Sequence, residues 1–224
     1  MRAARSLMFV ALLPVFAGCQ LLQSQPEKPS TAGLTRLQGE LSMADGKLVF
    51  QPCQENKLYV VNDAGSTSIL QEAATLAGPQ HKVFADLRGR VAAGKSSDAG
   101  AQLDVQQLYR VERSAKACED PNFQRLILRA SGNTPDWNVK VNTKGMVVER
   151  AGQPALALPF LEEQLGDGRF SLSSEANNQH VELWIAPQRC VDSTRGSVQF
   201  MSAELRVNGQ VQRGCAYFGG SRND

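Results

Sequence analysis

The chain has 224 residues, 42% of them hydrophobic and 21% charged, with 24 Lys and Arg against 22 Asp and Glu. That composition belongs to a globular protein and excludes a wholly disordered one, and the length allows one large or two small domains. A near-neutral chain with no basic block lacks the positive field that non-specific nucleic-acid binding needs, so no nucleic-acid partner is expected.

The amino terminus reads as an address. Arg2 and Arg5 precede an apolar run from Leu7 to Phe16 that stops at Ala17-Gly18-Cys19. A basic start, a short apolar core and small residues at the end make a secretory signal. The run holds about ten residues, short of the ~20 that a spanning helix needs. Removal of residues 1–18 takes Arg2 and Arg5 with it and leaves basic and acidic residues in balance. Phe16-Ala17-Gly18-Cys19 resembles the lipobox of bacterial lipoproteins, with Phe16 where leucine is usual. The resemblance implies a diacylglycerol on the Cys19 thiol, cleavage before Cys19 and acylation of the new amine. Several acyl chains hold a protein on a membrane far more firmly than one. Gln20, where an aspartate would retain such a protein at the inner membrane, implies an outer-membrane protein facing the periplasm. Residues 19–34, with Pro26, Pro29 and several Gln and Ser, read as the lipidated start and a solvated tether.

Strand patterns follow. Leu37 to Met43 and Leu48 to Phe50 flank a turn at Ala44-Asp45-Gly46-Lys47 and predict a hairpin. Lys57 to Val61 predicts a third strand. Ile69, Leu70, Ala73, Ala74, Leu76 and Ala77 recur at helical intervals, with Ser66, Thr67 or Ser68 as cap and Gly78-Pro79 as stop. Val83 to Val91 and Leu103 to Val111 predict two further strands. Five strands and one helix in this order fit an OB-like barrel over residues 35–119.

Asp120-Pro121-Asn122 reads as the boundary of a second body, 120–218, followed by a tail at 219–224. Strands are predicted at 124–130, 137–141, 145–150, 155–158, 169–172, 180–186, 201–207 and 210–215, with one helical turn near Pro159 to Leu165. Asn208-Gly209 between alternating runs is a strong hairpin signal. Short strands with regular turns predict a β-barrel or sandwich. The fold class is therefore mainly β: two small β-rich domains in contact, after a lipoprotein signal peptide.

With Cys19 lipidated, four cysteines remain, an even number in a chain exported to an oxidising compartment. Of three pairings, Cys53–Cys118 with Cys190–Cys215 is favoured, because each bridge then falls inside one predicted domain. The cysteines are too widely spaced for a zinc site, so no metal is expected.

Ala130-Ser131-Gly132-Asn133-Thr134-Pro135-Asp136-Trp137-Asn138-Val139 resembles a signature of an uncharacterised family of bacterial envelope lipoproteins. Cys190-Val191-Asp192-Ser193 and Arg213-Gly214-Cys215 resemble two further elements of that family, with Thr134, Asp136 and the stretch Ser193 to Gly196 departing from its pattern. The second body is also similar to membrane-bound C-type lysozyme inhibitors, and the first to the OB-type domain of envelope-stress and copper-resistance lipoproteins. The family carries no established activity, so the resemblance implies no catalytic residue.

Neither His81 nor His180 sits in a recognisable catalytic motif; both read as surface residues in turns, and Glu162-Glu163 as a solvated turn. No P-loop, HExxH or nucleophile elbow is present. No catalytic residue and no cofactor are expected. Trp137, Ser193, Thr194 and Arg195 are the candidate binding residues, although Trp137 also fits a core position. The expected function is a non-enzymatic envelope lipoprotein that binds or senses, with the membrane and an envelope protein as partners. A C-type lysozyme inhibitor, using Ser193, Thr194 and Arg195 against the carboxylates of lysozyme, is the first alternative. A lipid-anchored hydrolase is the second.

Overall fold

A computed structural model describes residues 33–77, 82–92, 101–114 and 116–222. Cys19, the signal segment, most of the tether and His81 lie outside the described residues. The first strands are β1 (Thr35–Ala44), β2 (Lys47–Pro52) and β3 (Tyr59–Asn62). The β1–β2 turn puts Asp45 at φ 49° and Gly46 at φ 73°, the left-handed pair that suits the twist of a tight hairpin. Helix α1 (Ile69–Ala77) stands where the periodicity predicts it. Ahead of it, the Asp63 carboxylate accepts hydrogen bonds from the Thr67 and Ser68 amides at 2.7 and 2.9 Å. These amides belong to the turn that leads into the helix, and Ser68, one of the three expected caps, stands at the cap position, its carbonyl accepting from the Glu72 amide.

Strands β4 (Lys82–Ala92) and β5 (Gln102–Glu112) close the unit. β1 pairs with β2 and β4, β2 with β3, and β4 with β5, all antiparallel; β3 pairs with β5 in parallel. The hydrogen bonding therefore runs β1-β2-β3-β5-β4 and back to β1, a closed five-stranded barrel with the helix between β3 and β4. This is the OB-like arrangement. Its core holds Leu41, Phe50, Ile69, Leu87, Leu103 and Val105.

After two short 3₁₀ turns, Ala117–Glu119 and Phe123–Arg125, a second sheet begins. It contains β6 (Leu128–Asn133), β7 (Asp136–Asn142), β8 (Gly145–Arg150) and β9 (Leu156–Leu158). β10 (Leu161–Gly166), β11 (Arg169–Ala176) and β12 (Gln179–Ala186) follow. After a short hairpin, β13 (Cys190–Asp192) with β14 (Ser197–Gln199), come β15 (Met201–Val207) and β16 (Gln210–Phe218). The order in space is β10-β11-β12-β15-β16-β6-β7-β8-β9. Its two edge strands, β9 and β10, are joined by Pro159 and Phe160 alone. Three residue steps span at most about 11 Å, so the sheet must curl until its ends meet. The enclosed side is filled by Trp137, Val139, Met146, Phe170, Leu172, Leu183, Ile185 and Leu205. The Asn208-Gly209 turn joins β15 to β16 with both residues at positive φ, as expected.

Three features depart from the sequence reading. The stretch predicted as a helical turn, Pro159 to Leu165, forms strand β10, an exposed edge with Glu162 and Glu163 facing water. Charged residues on an edge strand block further pairing, which gives this polar segment a place in a sheet. Second, β13 and β14 escape the pattern because each has only three residues. Third, they do not join the second sheet: β14 pairs with β5, and Val198 packs in the core of the barrel. The chain thus leaves the second sheet after β12, adds a hairpin to the barrel, and returns as β15.

A buried ion pair holds the same junction. The Asp86 side chain is fully buried in β4. Arg36 donates to it from Nε at 2.8 Å and Nη2 at 2.7 Å. Arg36 also donates to the Gly219 and Phe218 carbonyls at 2.8 and 2.6 Å, beyond and at the end of β16. Arg36→Ala leaves the Asp86 charge poorly compensated and should cost about 3–5 kcal/mol, read as a lower denaturant midpoint at unchanged slope. Adding Asp86→Leu should recover much of the loss. A single variant within about 0.5 kcal/mol of wild type would show that the pair does not hold the junction.

Candidate functional site

β5 is covered on both sides. Leu108 and Val111 enter the barrel core, while Arg110 turns towards β16. Its guanidinium lies 4.1 Å from the centre of the Tyr217 ring and 4.8 Å from that of Phe84. Its Nη1 donates to Glu112 at 3.2 Å, and its Nε stands 4.0 Å from Asp86. The residue is 96% buried by its 4% exposure, yet Nε and Nη2 have no hydrogen-bond partner. The buried Tyr217 hydroxyl and Gln199 Oε1 are likewise unpartnered. Such atoms cost about 1–3 kcal/mol each in a dry interior.

Arg110, Gln199 and Tyr217 are among the residues that line a cavity of about 280 Å³ between the barrel and the second sheet, while their unpartnered atoms are closed off from solvent. β5 contributes Arg110 and Glu112, β6 contributes Arg129 and Ser131, the β13–β14 hairpin contributes Arg195, Ser197 and Gln199, and β16 contributes Tyr217. Arg195 donates to Ser131 Oγ at 3.2 Å, to Asp192 at 3.2 Å and to Asp136 at 2.8 Å. Asp192 is buried and also accepts from Asn133 Nδ2 at 2.8 Å. Arg129 donates to Asn138, which donates to Glu149. The Asn138 hydrogen bond, and then that from Lys140, hold the Glu149 carboxyl below its usual pKa.

The three motif segments meet here. Trp137 is 1% exposed and lies in the core of the second sheet, with Gly132 and Gly214 directly against its indole. A Cβ at either glycine would drive into the ring and into the facing strand's carbonyl. The spacing of Gly132, Trp137 and Gly214 is therefore a packing device. The bridge Cys190–Cys215 forms, as does Cys53–Cys118. The reason given by the sequence fails for the former, however: Cys190 lies on the hairpin attached to the barrel and Cys215 in the second sheet, so this bridge crosses between sheets.

Of the candidate binding residues, Arg195 reaches the cavity. Ser193 and Thr194 are exposed in the turn beside it. Trp137 is enclosed, and Trp184 stands 36% exposed on the opposite face of its sheet under Arg206, so the two tryptophans share no surface. Sequence reasoning missed Arg110, Arg129, Gln199 and Tyr217. The signal available was Asp86 and Arg110 inside otherwise apolar runs, which marks strands buried on both faces.

Three larger hollows carry less chemistry. One, of about 570 Å³, is lined by Ser173, Ser174, Glu175, His180 and Glu182 among others. His180 Nδ1 lies 3.3 Å from Glu175 and Nε2 3.8 Å from Glu182, so both nitrogens face carboxylates, not a nucleophile. Ser174 is buried and pairs with Val181, on the inner side of the strand pair. A second hollow, of about 450 Å³, adjoins Trp184, and a third, of about 400 Å³, adjoins the Cys53–Cys118 bridge. Among the described residues, no group of three or more His, Cys, Asp and Glu side chains is placed to hold a metal ion.

The glycine argument has a direct check. Gly132→Ala should destabilise by about 1–3 kcal/mol through overpacking and shift the tryptophan emission spectrum. An unchanged midpoint and spectrum would remove Trp137 from its place at the junction. The chain matches no family model, no curated protein and no solved structure.

Proposed function

We propose that this chain is a non-enzymatic lipoprotein, anchored in the outer membrane through Cys19 and facing the periplasm, that acts by binding in the cavity between its barrel and its second sheet. The observation that carries the reading is the convergence of buried, incompletely hydrogen-bonded side chains from both units on one cavity. A purely structural junction is better served by apolar contacts, since buried polar groups left unpaired are costly. The sequence of residues 1–19 supports the anchor. The resemblance to envelope lipoproteins supports the compartment, and its shared segments border this junction. The lysozyme-inhibitor alternative asks the 193–195 turn for an uncommitted cation, whereas Arg195 is already held by Asp136 and Asp192. The hydrolase alternative draws no support from His180, with a carboxylate at each nitrogen.

Two measurements test the reading. Cys19→Ser should move the protein from the membrane to the soluble fraction, and the wild-type amino-terminal peptide should carry added acyl mass. An unmodified mature terminus would overturn the anchor. For binding, Ser114, exposed at the cavity wall, is replaced by the photoreactive p-benzoylphenylalanine. Irradiation of cells should give a defined adduct there and none from Leu161, exposed elsewhere. No adduct from position 114 would overturn binding at the junction.

A further inference from the structure

We propose that the outer face of the second sheet carries a saccharide site, in which an uncharged pyranose ring stacks on Trp184 and its hydroxyls are held by Glu204, Arg206 and Arg213. The site is apart from the junction and does not depend on binding there. Sheet register puts Ser171, Trp184, Glu204 and Arg213 side by side on β11, β12, β15 and β16. Their sequence neighbours Phe170, Leu172, Leu183, Ile185, Ala203 and Leu205 fill the core, so this row faces outwards. A hollow of about 450 Å³, within the size range of small-molecule sites, is bordered by Trp184, Glu204 and Arg213, with Gln188 and Ser202 beside them. Trp184 is 36% exposed there, and the Arg206 guanidinium lies 4.8 Å from its ring centre.

Two observations set the class of ligand. The first is the isolation of the indole. Across the sheet Trp184 has Ser171 on one side and Glu204 on the other, and along its own strand Glu182 and Ala186. A protein partner is met by a core of several apolar residues inside a polar rim. A lone indole among polar groups suits a small ligand that is apolar on one face only. The C–H face of a pyranose is such a surface, and its hydroxyls reach the surrounding side chains.

The second observation is charge balance. One Glu204 oxygen accepts from Arg206 Nε at 2.8 Å and Nη2 at 2.6 Å, and the other from Arg213 Nε at 3.3 Å. The Arg206 hydrogen bond, and then that from Arg213, hold the Glu204 carboxyl below its usual pKa. Arg206 Nη1 lies 3.9 Å from Glu182, and Arg169, also at the border of the hollow, 3.4 Å from Asp167. Three guanidiniums thus stand against three carboxylates, an arrangement that favours neither an anion nor a cation. A hydroxyl both donates and accepts, and this set offers both. Each guanidinium carries five donors, more than these contacts use, and each carboxylate oxygen has a second lone pair. Hydrogen bonds to such charged groups are stronger than neutral ones. The ion pairs also fix these planar groups in advance, so less freedom is lost when a sugar binds.

The test titrates the purified protein with three uncharged oligosaccharides, chitotriose, maltotriose and cellotriose, by calorimetry and by acrylamide quenching of tryptophan emission. Because Trp137 is 1% exposed, quenching reports on Trp184. At least one of the three should bind saturably and shield Trp184 from acrylamide. Trp184→Ala should weaken that binding about tenfold or more. Arg213→Gln, on a side chain 84% exposed and therefore without a part in folding, should weaken it several-fold and carries the test if Trp184→Ala does not fold. No saturable binding of any of the three overturns the proposal. So does binding that either folded variant retains in full, which would mark another surface. Binding of glucuronate or adenosine monophosphate with none of the three overturns an uncharged ligand. Neither variant touches the junction, so the adduct at position 114 and the saccharide site stand or fall separately.

Discussion

A carboxylate cannot be left charged in a protein interior without partners, and Asp86 is buried completely. Much of the architecture follows from that constraint. Its partners come from both flanking strands of the barrel: Arg36 and Gln38 on β1, and Arg110 on β5. Arg36 has more donors than Asp86 can accept, and the remainder reach the backbone carbonyls of Phe218 and Gly219. Arg110 has more donors than Glu112 takes up, and its buried Nε and Nη2 make no hydrogen bond. One buried charge in the barrel wall thus sets the position of the second sheet's last strand. Arg36 and Arg110 both approach the Phe123 ring, at 5.0 and 5.9 Å, which keeps water from the pair and strengthens it.

The second device at the junction is topological. The β13–β14 hairpin belongs to the second half of the chain but completes the barrel's outer edge along β5. Hydrogen bonds from Phe200 to Tyr109 and from Arg113 to Gly196 extend the pairing at both ends. The Cys190–Cys215 bridge ties the hairpin back to β16. Backbone pairing, an ion-pair network and a covalent bond therefore act on the same ten residues. The cavity lies where these three constraints meet, with walls drawn from four strands or turns that cannot move independently.

Much of this was legible in the sequence because the signals are local. The helix at Ile69 to Ala77 follows from its periodicity, and the turns at Asp45-Gly46 and Asn208-Gly209 from the left-handed conformation that each requires. The two disulfides form as paired, although the reason for the pairing, one bridge inside each domain, does not hold for Cys190–Cys215. What stayed hidden is non-local. Val191 and Val198 give no alternating pattern in strands of three residues; their strand character comes from β5 and from the bridge at Cys190. β10, with Glu162, Glu163 and Gln164 in succession, lacks an alternating pattern and is a strand because β11 pairs with it. The candidate site was half legible: Arg195 could be picked out from a turn, whereas Arg110 and Tyr217 meet across 106 intervening positions and have no shared sequence signal. Trp137, named as a candidate binding residue that also fits a core position, takes the core position, with Gly132 and Gly214 against its indole.

The hairpin also constrains how the molecule can be made. An amino-terminal unit is normally complete once its own strands have emerged, but this barrel lacks Val198 from its core until residue 199 is available. Until then the outer edge of β5 is an open template for pairing with other chains. The two bridges join cysteines that are consecutive among the last four in the chain, so thiols oxidised in order of emergence give the native pairs with no reshuffling step. Cys53 and Cys118 can secure the early strands while the edge of β5 waits. Cys190 arrives with the hairpin that covers that edge, and Cys215, the last of the series, fixes it in place. Vectorial synthesis thus turns the crossover into a checkpoint: the amino-terminal half cannot be finished before almost all of the carboxy-terminal half exists.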